Sequence, residues 1–281
     1  MSAGPLIHAI CAFALGSLTT AAFAEETPAT AIQDNSFLVE EAYNQEAGVV
    51  QHILTAQYSR GGHDRSWDLA FTQEWPLFSQ RHQISYTVPY SFMHVDGGWT
   101  NGVDDVLLNY RFQALSETER IPAFAPRVSL ILPTGDAEQG FRNDTVGWQV
   151  NLPVSKVVSA RWTVHGNAGI TILPDVKGHD LVSYNLGASA VYAITRDFNL
   201  MLECVGNFEE DAVGLRGTAR HRSVLLSPGF RYAWNFPNNT QMVVGVAAPI
   251  GVSHDAPDYG VFLYFSFEHA FTRAAAQAKR D

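Results

Sequence analysis

Alternation with a period of two residues runs through this chain and constrains its fold more than any other feature. In Val106-Leu107-Leu108-Asn109-Tyr110-Arg111-Phe112-Gln113, the residues Val106, Leu108, Tyr110 and Phe112 share one face, while Asn109, Arg111 and Gln113 share the other. Trp148, Val150 and Leu152 alternate with Gln149 and Asn151. Trp162, Val164, Gly166, Ala168 and Ile170 alternate with Thr163, His165, Asn167 and Thr171. Val182, Tyr184, Leu186, Ala188, Ala190 and Tyr192 do so with Ser183, Asn185, Gly187 and Ser189. Comparable segments lie near residues 49–59, 66–76, 81–91, 124–133, 197–206, 222–234, 240–249 and 258–271. The total is about twelve strands of roughly nine to thirteen residues, the length a tilted strand needs to cross a bilayer.

Such a chain needs only every second residue apolar, which explains a mean hydropathy of −0.05 in a protein read as membrane-spanning. Beyond the N-terminus no run approaches the roughly 20 apolar residues of a membrane helix. The same alternation also builds soluble sandwiches and lipocalin-like barrels. The strands here are longer than the five or six residues usual in globular sheets, and their aromatics sort to strand ends. Trp75, Trp162, Tyr192 and Trp234 fall beside short connectors (77–80, 156–161, 194–197, 235–239). Tyr58, Trp67, Trp148 and Tyr184 fall beside longer ones (60–65, 92–103, 134–146, 172–181, 207–221, 250–257), with 114–123 a longer connector on the short side. Two aromatic girdles, short turns at one end, long loops at the other and an even strand count predict an all-β, antiparallel, closed up-and-down transmembrane barrel in the outer membrane, with both termini periplasmic. The last strand, Val261 to Phe271, is rich in aromatics, like the terminal strand that barrel-assembly machinery reads.

The N-terminus reads as an export signal: Leu6 to Ala22 is apolar and nearly uncharged, and Ala22-Phe23-Ala24 is a small-x-small cleavage pattern, although Met1-Ser2-Ala3-Gly4 carries no Lys or Arg. The expected organisation is a signal peptide over 1–24, a periplasmic lead-in or plug segment over 25–48, the barrel over 49–271 and a periplasmic tail over 272–281. Once the signal and its Cys11 are removed, Cys204 remains alone, so packing and pairing must hold the fold without an internal disulfide. A formal net charge of −10 without clustered Lys and Arg speaks against a nucleic-acid partner.

Several segments resemble a known family. Phe37-Leu38-Val39-Glu40-Glu41-Ala42-Tyr43-Asn44-Gln45-Glu46, Asp104-Asp105-Val106-Leu107-Leu108-Asn109-Tyr110-Arg111, Ser129-Leu130-Ile131-Leu132-Pro133-Thr134-Gly135-Asp136 and Gly147-Trp148-Gln149-Val150-Asn151-Leu152-Pro153-Val154-Ser155-Lys156 are similar to the MetA-pathway of phenol degradation family. The resemblance implies a channel-like outer-membrane barrel and supplies no binding residues.

Chemistry read from the residues themselves is sparse. There is no glycine loop followed by Lys, no zinc-binding His-Glu pair on a helix and no Cys cluster, and no cofactor or metal is expected. Leu132-Pro133-Thr134-Gly135-Asp136 is ordinary turn chemistry leaving a strand. His221 and Ser223 share a strand face and would offer a base and a nucleophile to an outer-membrane lipid hydrolase, but they lie amid Arg216, Arg220 and Arg222, which suits a basic loop facing lipopolysaccharide better. Asp68, Glu74, Arg111, Arg127, His165, Glu203, Arg231 and Glu268 fall on the polar strand faces. Inside a barrel, such mixed charges either pair and close the lumen or line a selective path. The reading is a non-enzymatic channel for small solutes, aromatic or hydrophobic ones included. Its expected partners are that solute, outer-membrane lipid, lipopolysaccharide and the barrel-assembly machinery. The alternatives are the lipid hydrolase and a structural or adhesive barrel acting through its extracellular loops.

Overall fold

In the computed structural model the described residues are 31–272 and 275, apart from 96, 215, 216 and 238. The expected signal peptide over 1–24 and nearly all of the tail lie outside them. The strands are β1 (Val49–Gly61), β2 (Asp64–Leu77), β3 (Ser79–Val95), β4 (Gly98–Val103), β5 (Val106–Phe112), β6 (Ala123–Phe124), β7 (Arg127–Leu132), β8 (Gly147–Asn151), β9 (Val154–Val157), β10 (Trp162–Val176), β11 (His179–Ala193), β12 (Phe198–Ala212), β13 (Thr218–Phe236), β14 (Thr240–Ala247), β15 (Ile250–Gly251) and β16 (Tyr259–Ala270). Four pairs, β4 with β5, β6 with β7, β8 with β9 and β14 with β15, are each one crossing briefly interrupted, which leaves the twelve antiparallel crossings of a closed barrel. Three interruptions hold Pro126, Pro153 and Pro249, residues without the N–H that a ladder needs. β1 pairs with β16 from Val49 opposite Ala270 to Arg60 opposite Tyr259, so the sheet has no free edge along this seam.

Burial is inverted relative to a water-soluble protein. Leu54, Trp148 and Leu186 are more than half exposed, whereas Glu203 and Arg231 are fully buried. On β5 the alternation puts Asn109 and Arg111 inside and Leu108 and Tyr110 outside. A soluble sandwich or lipocalin-like barrel would bury the apolar face; a barrel whose solvent is lipid exposes it. Girdle aromatics meet across neighbouring strands, Trp162 with Tyr192 at 4.9 Å and Tyr58 with Trp67 at 5.3 Å between ring centroids.

The stretches 60–65, 92–103, 172–181 and 207–221, read as long connectors, are mostly strand: the paired strands β1/β2, β3/β4, β10/β11 and β12/β13 continue into them, and β1/β2 and β10/β11 close over two residues each. Lys177 and Gly178 both have positive φ, 52° and 83°, as a two-residue hairpin turn of right-handed twist requires. Where strands extend past the bilayer, both faces meet water, so the apolar alternation that marks a strand disappears while the pairing continues. Residues 133–146 do form a long loop. Asp105 anchors it by accepting from the Gly135 N–H at 3.0 Å and from both the backbone N–H and the side-chain amide of Asn143, at 3.0 and 2.8 Å. The Leu-Pro-Thr-Gly-Asp piece thus serves turn geometry.

Candidate functional site: the occupied lumen

Residues 31–48 precede β1 and lie against the inner wall of the half of the barrel nearest the short turns. They form no strand, and from Ile32 to Gln45 wall side chains take the place of a ladder; next to β1 the Gly48 carbonyl accepts from the Phe271 N–H at 2.8 Å. Arg231, on β13, donates to the carbonyls of Ile32, of Asp34 at 3.1 Å and of Asn35 at 3.0 Å, and to the Glu41 carboxylate at 3.3 Å. Glu203, on β12, accepts from the backbone N–H groups of Leu38 and Val39 at 3.2 and 3.1 Å. Arg111, on β5, donates to the Tyr43 carbonyl at 2.8 Å and to Asn44 Oδ1 at 2.9 Å. The segment returns the same kind of contact. Asp34 accepts from Tyr264 and Ser266, both at 2.7 Å, and the Ala42 N–H donates to Ser155 Oγ at 2.8 Å.

Apolar packing holds one side of the segment. Phe37 lies 5.4 Å from Phe262 and 5.5 Å from Tyr264 between ring centroids, within a cluster that includes Ile32, Ile53, Val191, Met201 and Val243. Gly245 makes room for it: a Cβ at that position would sit 2.3 Å from Phe37 Cζ. The lumen is therefore two-sided, with an apolar wall around β14 and β16 and a wall of Asn109, Arg127, Gln149 and Asn151 on β5, β7 and β8. Arg127 donates to Asn109 Oδ1 at 3.0 Å and Gln149 Oε1 at 3.1 Å, and Asn151 donates to Gln149.

Seven of the eight wall residues singled out from sequence meet around this segment. Arg111, Arg127, Glu203, Arg231 and Glu268 hydrogen-bond to it, Glu268 through the side-chain amide of Gln45 at 2.8 Å. His165 bonds Ser155 at 2.8 Å and has Glu41 at 3.6 Å; Glu74 lies 3.9 Å from Arg111. Asp68 is not among them: it bonds Ser66 and Ser91 toward the opposite end. Sequence reasoning missed the partners these residues have, Asp34, Glu40, Glu41, Asn44 and Gln45, because the segment has no period and its acids look like solvated charge. Ser155, His165 and Glu41 have the residue types of a nucleophile, base and orienting acid, but the Ser155 hydroxyl is fully buried and capped by the Ala42 N–H. His221 has Asp211 at 3.7 Å, and among the described residues no hydrogen bond joins it to Ser223. No group of three metal-ligating side chains converges among the described residues.

At the short-turn end, the segment is tied to the turn 113–122. Glu117 accepts from Tyr43 Oη at 2.7 Å, Lys156 Nζ at 2.9 Å and the Val157 N–H at 2.7 Å. Burial pushes the Glu117 carboxyl up, but these three bonds and the Lys156 charge outweigh it, so its pKa is lowered; burial and the same bond raise the Tyr43 phenol. A carboxylate with a depressed folded pKa contributes stability that is complete above its unfolded value, near 4.5, and is lost as pH falls through the folded pKa. Between pH 5 and pH 3, wild-type barrel should lose more resistance to denaturant than Glu117→Gln, which has no such proton to take up. Urea midpoints across that range check it.

Fold and site together define a class: a closed transmembrane barrel that holds a segment of its own chain in the lumen. The model of one family, described as putative MetA-pathway of phenol degradation, matches residues 34–268, and the chain belongs to that family. Among solved structures it is similar to the COG4313 outer membrane channel from Pseudomonas putida F1, with a TM-score of 0.64 at 13% identity over 81% of this chain and 97% of that one. It is also similar to the beta domain of the Bordetella autotransporter Brka, with a TM-score of 0.52 at 10% identity over 80% of this chain and 100% of that one. At these identities the likeness is one of fold. A comparison with curated proteins finds no match.

Proposed function

We propose that this chain is an outer-membrane channel for small solutes, closed at rest by residues 31–48 and opened when that segment leaves the lumen. The observation that carries this reading is how the segment is held. From Ile32 to Gln45 it is docked through side chains and not paired into the sheet, so the twelve-strand wall keeps its ladder when that stretch withdraws. Removing a strand would instead open an edge, at far greater cost. An apolar wall facing an amide wall suits solutes with one apolar and one polar end, including aromatic and other hydrophobic compounds. Lipid and lipopolysaccharide surround the apolar outer face in this reading, and the aromatic closing strand is what assembly machinery would engage. The channel and the adhesive barrel differ in one respect: only the channel needs the lumen to clear.

Planar-bilayer recording of the refolded full-length protein tests the proposal. Brief, discrete conductance steps from a mostly silent baseline are expected, with their frequency changing as small aromatic acids and neutral aromatics are added. Insertion without any steps, at every solute tried, would overturn it.

A further inference from the structure

Glu40 occupies a position on the wall that looks like a ligand's. Its carboxylate is held by Arg127 Nε at 2.9 Å and by Arg111 Nη1 at 3.5 Å, two arginines that face each other in the β5–β7 register. Arg111 is 4% exposed and has other partners, including Glu74. Arg127 differs: apart from Glu40, its contacts are the neutral amides Asn109 and Gln149. When Glu40 leaves with the segment, no other carboxylate among the described residues lies within ion-pair distance of Arg127, which faces the lumen beside amide oxygens that hold its other N–H groups in place. A guanidinium oriented in this way is suited to an incoming carboxylate, with charge-assisted bonds about twice as strong as neutral ones.

A cavity of about 260 Å³ already adjoins this pair, bounded by residues 35–40 on one side and by Ile53, Thr72, Ser85, Asn109 and Tyr264 on the other. Its polar side holds Arg111, Arg127, Asn109 and Glu74, the last 3.9 Å from Arg111; Ile53 and Tyr264 on the wall, with Phe37 of the segment, border it as an apolar side. We infer that Arg127, with Arg111 behind it, is a recognition site for a small monocarboxylate with an apolar body, and that Glu40 occupies it as an internal substitute until such a solute displaces it. This rests on the channel reading above and names the solute class that the lumen would admit: an aromatic or aliphatic acid in preference to the matching neutral alcohol.

Equilibrium dialysis of the full-length protein in detergent micelles, with labelled benzoate and labelled benzyl alcohol as probes and empty micelles as the blank, tests it without requiring conductance. Removing the internal carboxylate by Glu40→Gln should tighten benzoate binding roughly tenfold or more and leave benzyl alcohol unchanged. Adding Arg127→Gln to that variant should abolish the gain; circular dichroism confirms that each variant keeps its strand content, and Arg127→Lys, which keeps the charge, should retain part of it. Benzoate binding that is indifferent to Glu40→Gln, or a gain that survives Arg127→Gln, would overturn the site. The two proposals fail separately. A protein that conducts but shows no such preference refutes the carboxylate site alone, and one that binds benzoate yet never conducts refutes the channel.

Discussion

Replacing Arg231 with Ala should release the N-terminal segment from the lumen and turn a mostly silent barrel into a frequently conducting one. Arg231 is fully buried, and its guanidinium holds the segment at three places along its path: the carbonyl of Ile32, those of Asp34 and Asn35, and the carboxylate of Glu41. Truncation leaves Glu41 in the lumen without this cation and leaves three carbonyls without their donor. Removing one partner of a buried pair costs about 3–5 kcal/mol. Here the strain can be relieved locally, because the segment can leave while the sheet stays closed, so the cost falls on docking. About 3 kcal/mol corresponds to a hundredfold change in the docked-to-free ratio. Single-channel open probability reads this directly. Arg231→Lys should fall between, since one ammonium cannot reach four divergent acceptors as a planar fork does. An Arg231→Ala protein as silent as wild type would mean that the segment is held without it.

The second large effect is steric. In Gly245→Val, the new Cβ would lie 2.3 Å from Phe37 Cζ and 2.6 Å from Cε1, so the ring must leave its place against Phe262 and Tyr264. Overpacking of this kind costs about 1–3 kcal/mol or more, and the lost aromatic contact adds to it. Residues Glu40, Glu41 and Glu46 then become accessible, so a glutamate-specific protease should cut the segment at least tenfold faster than in wild type. Gly206→Val is the control. A Cβ there meets Phe208 and Val224 only at 3.5 Å and beyond, ordinary contact distances, and cleavage should not change. Equal rates in all three proteins would contradict the packing of Phe37 as an anchor.

The barrel wall was legible in the sequence because lipid on one side and polar groups on the other impose a period of two on each crossing. That pattern gave both the strand count and the direction of the inner side chains, and so it singled out Arg111, Arg127, Glu203 and Arg231. Legibility failed where the two environments become alike. In the hairpins beyond the bilayer, residues 92–103 and 207–221 carry polar residues on both faces and looked like loops. It was partial for residues 31–48, expected as a lead-in or plug but without partners, because their backbone is satisfied by Arg231, Glu203 and Arg111 from strands far away in sequence. Nothing local in Asp34, Glu40 or Glu41 distinguishes an acid bound inside a barrel from one in water. By sequence the wall charges pair with each other or line a path; in the fold most of them meet a third partner, the chain's own N-terminal segment.

The central claim, that passage requires residues 31–48 to leave the lumen, can be tested by fastening them there. Val39 Cβ lies 3.7 Å from where a Cβ at Gly187 would be, within the span of a disulfide. Val39→Cys with Gly187→Cys, in a Cys204→Ser background, therefore places a reversible bolt between the segment and β11. Recorded in the same planar bilayer before and after reduction, this variant should be silent when oxidised and should regain the wild-type pattern of conductance steps once the disulfide is reduced. Unchanged conductance in the oxidised state, with the cross-link verified by mass, would show that solutes pass with the segment in place and would contradict the account.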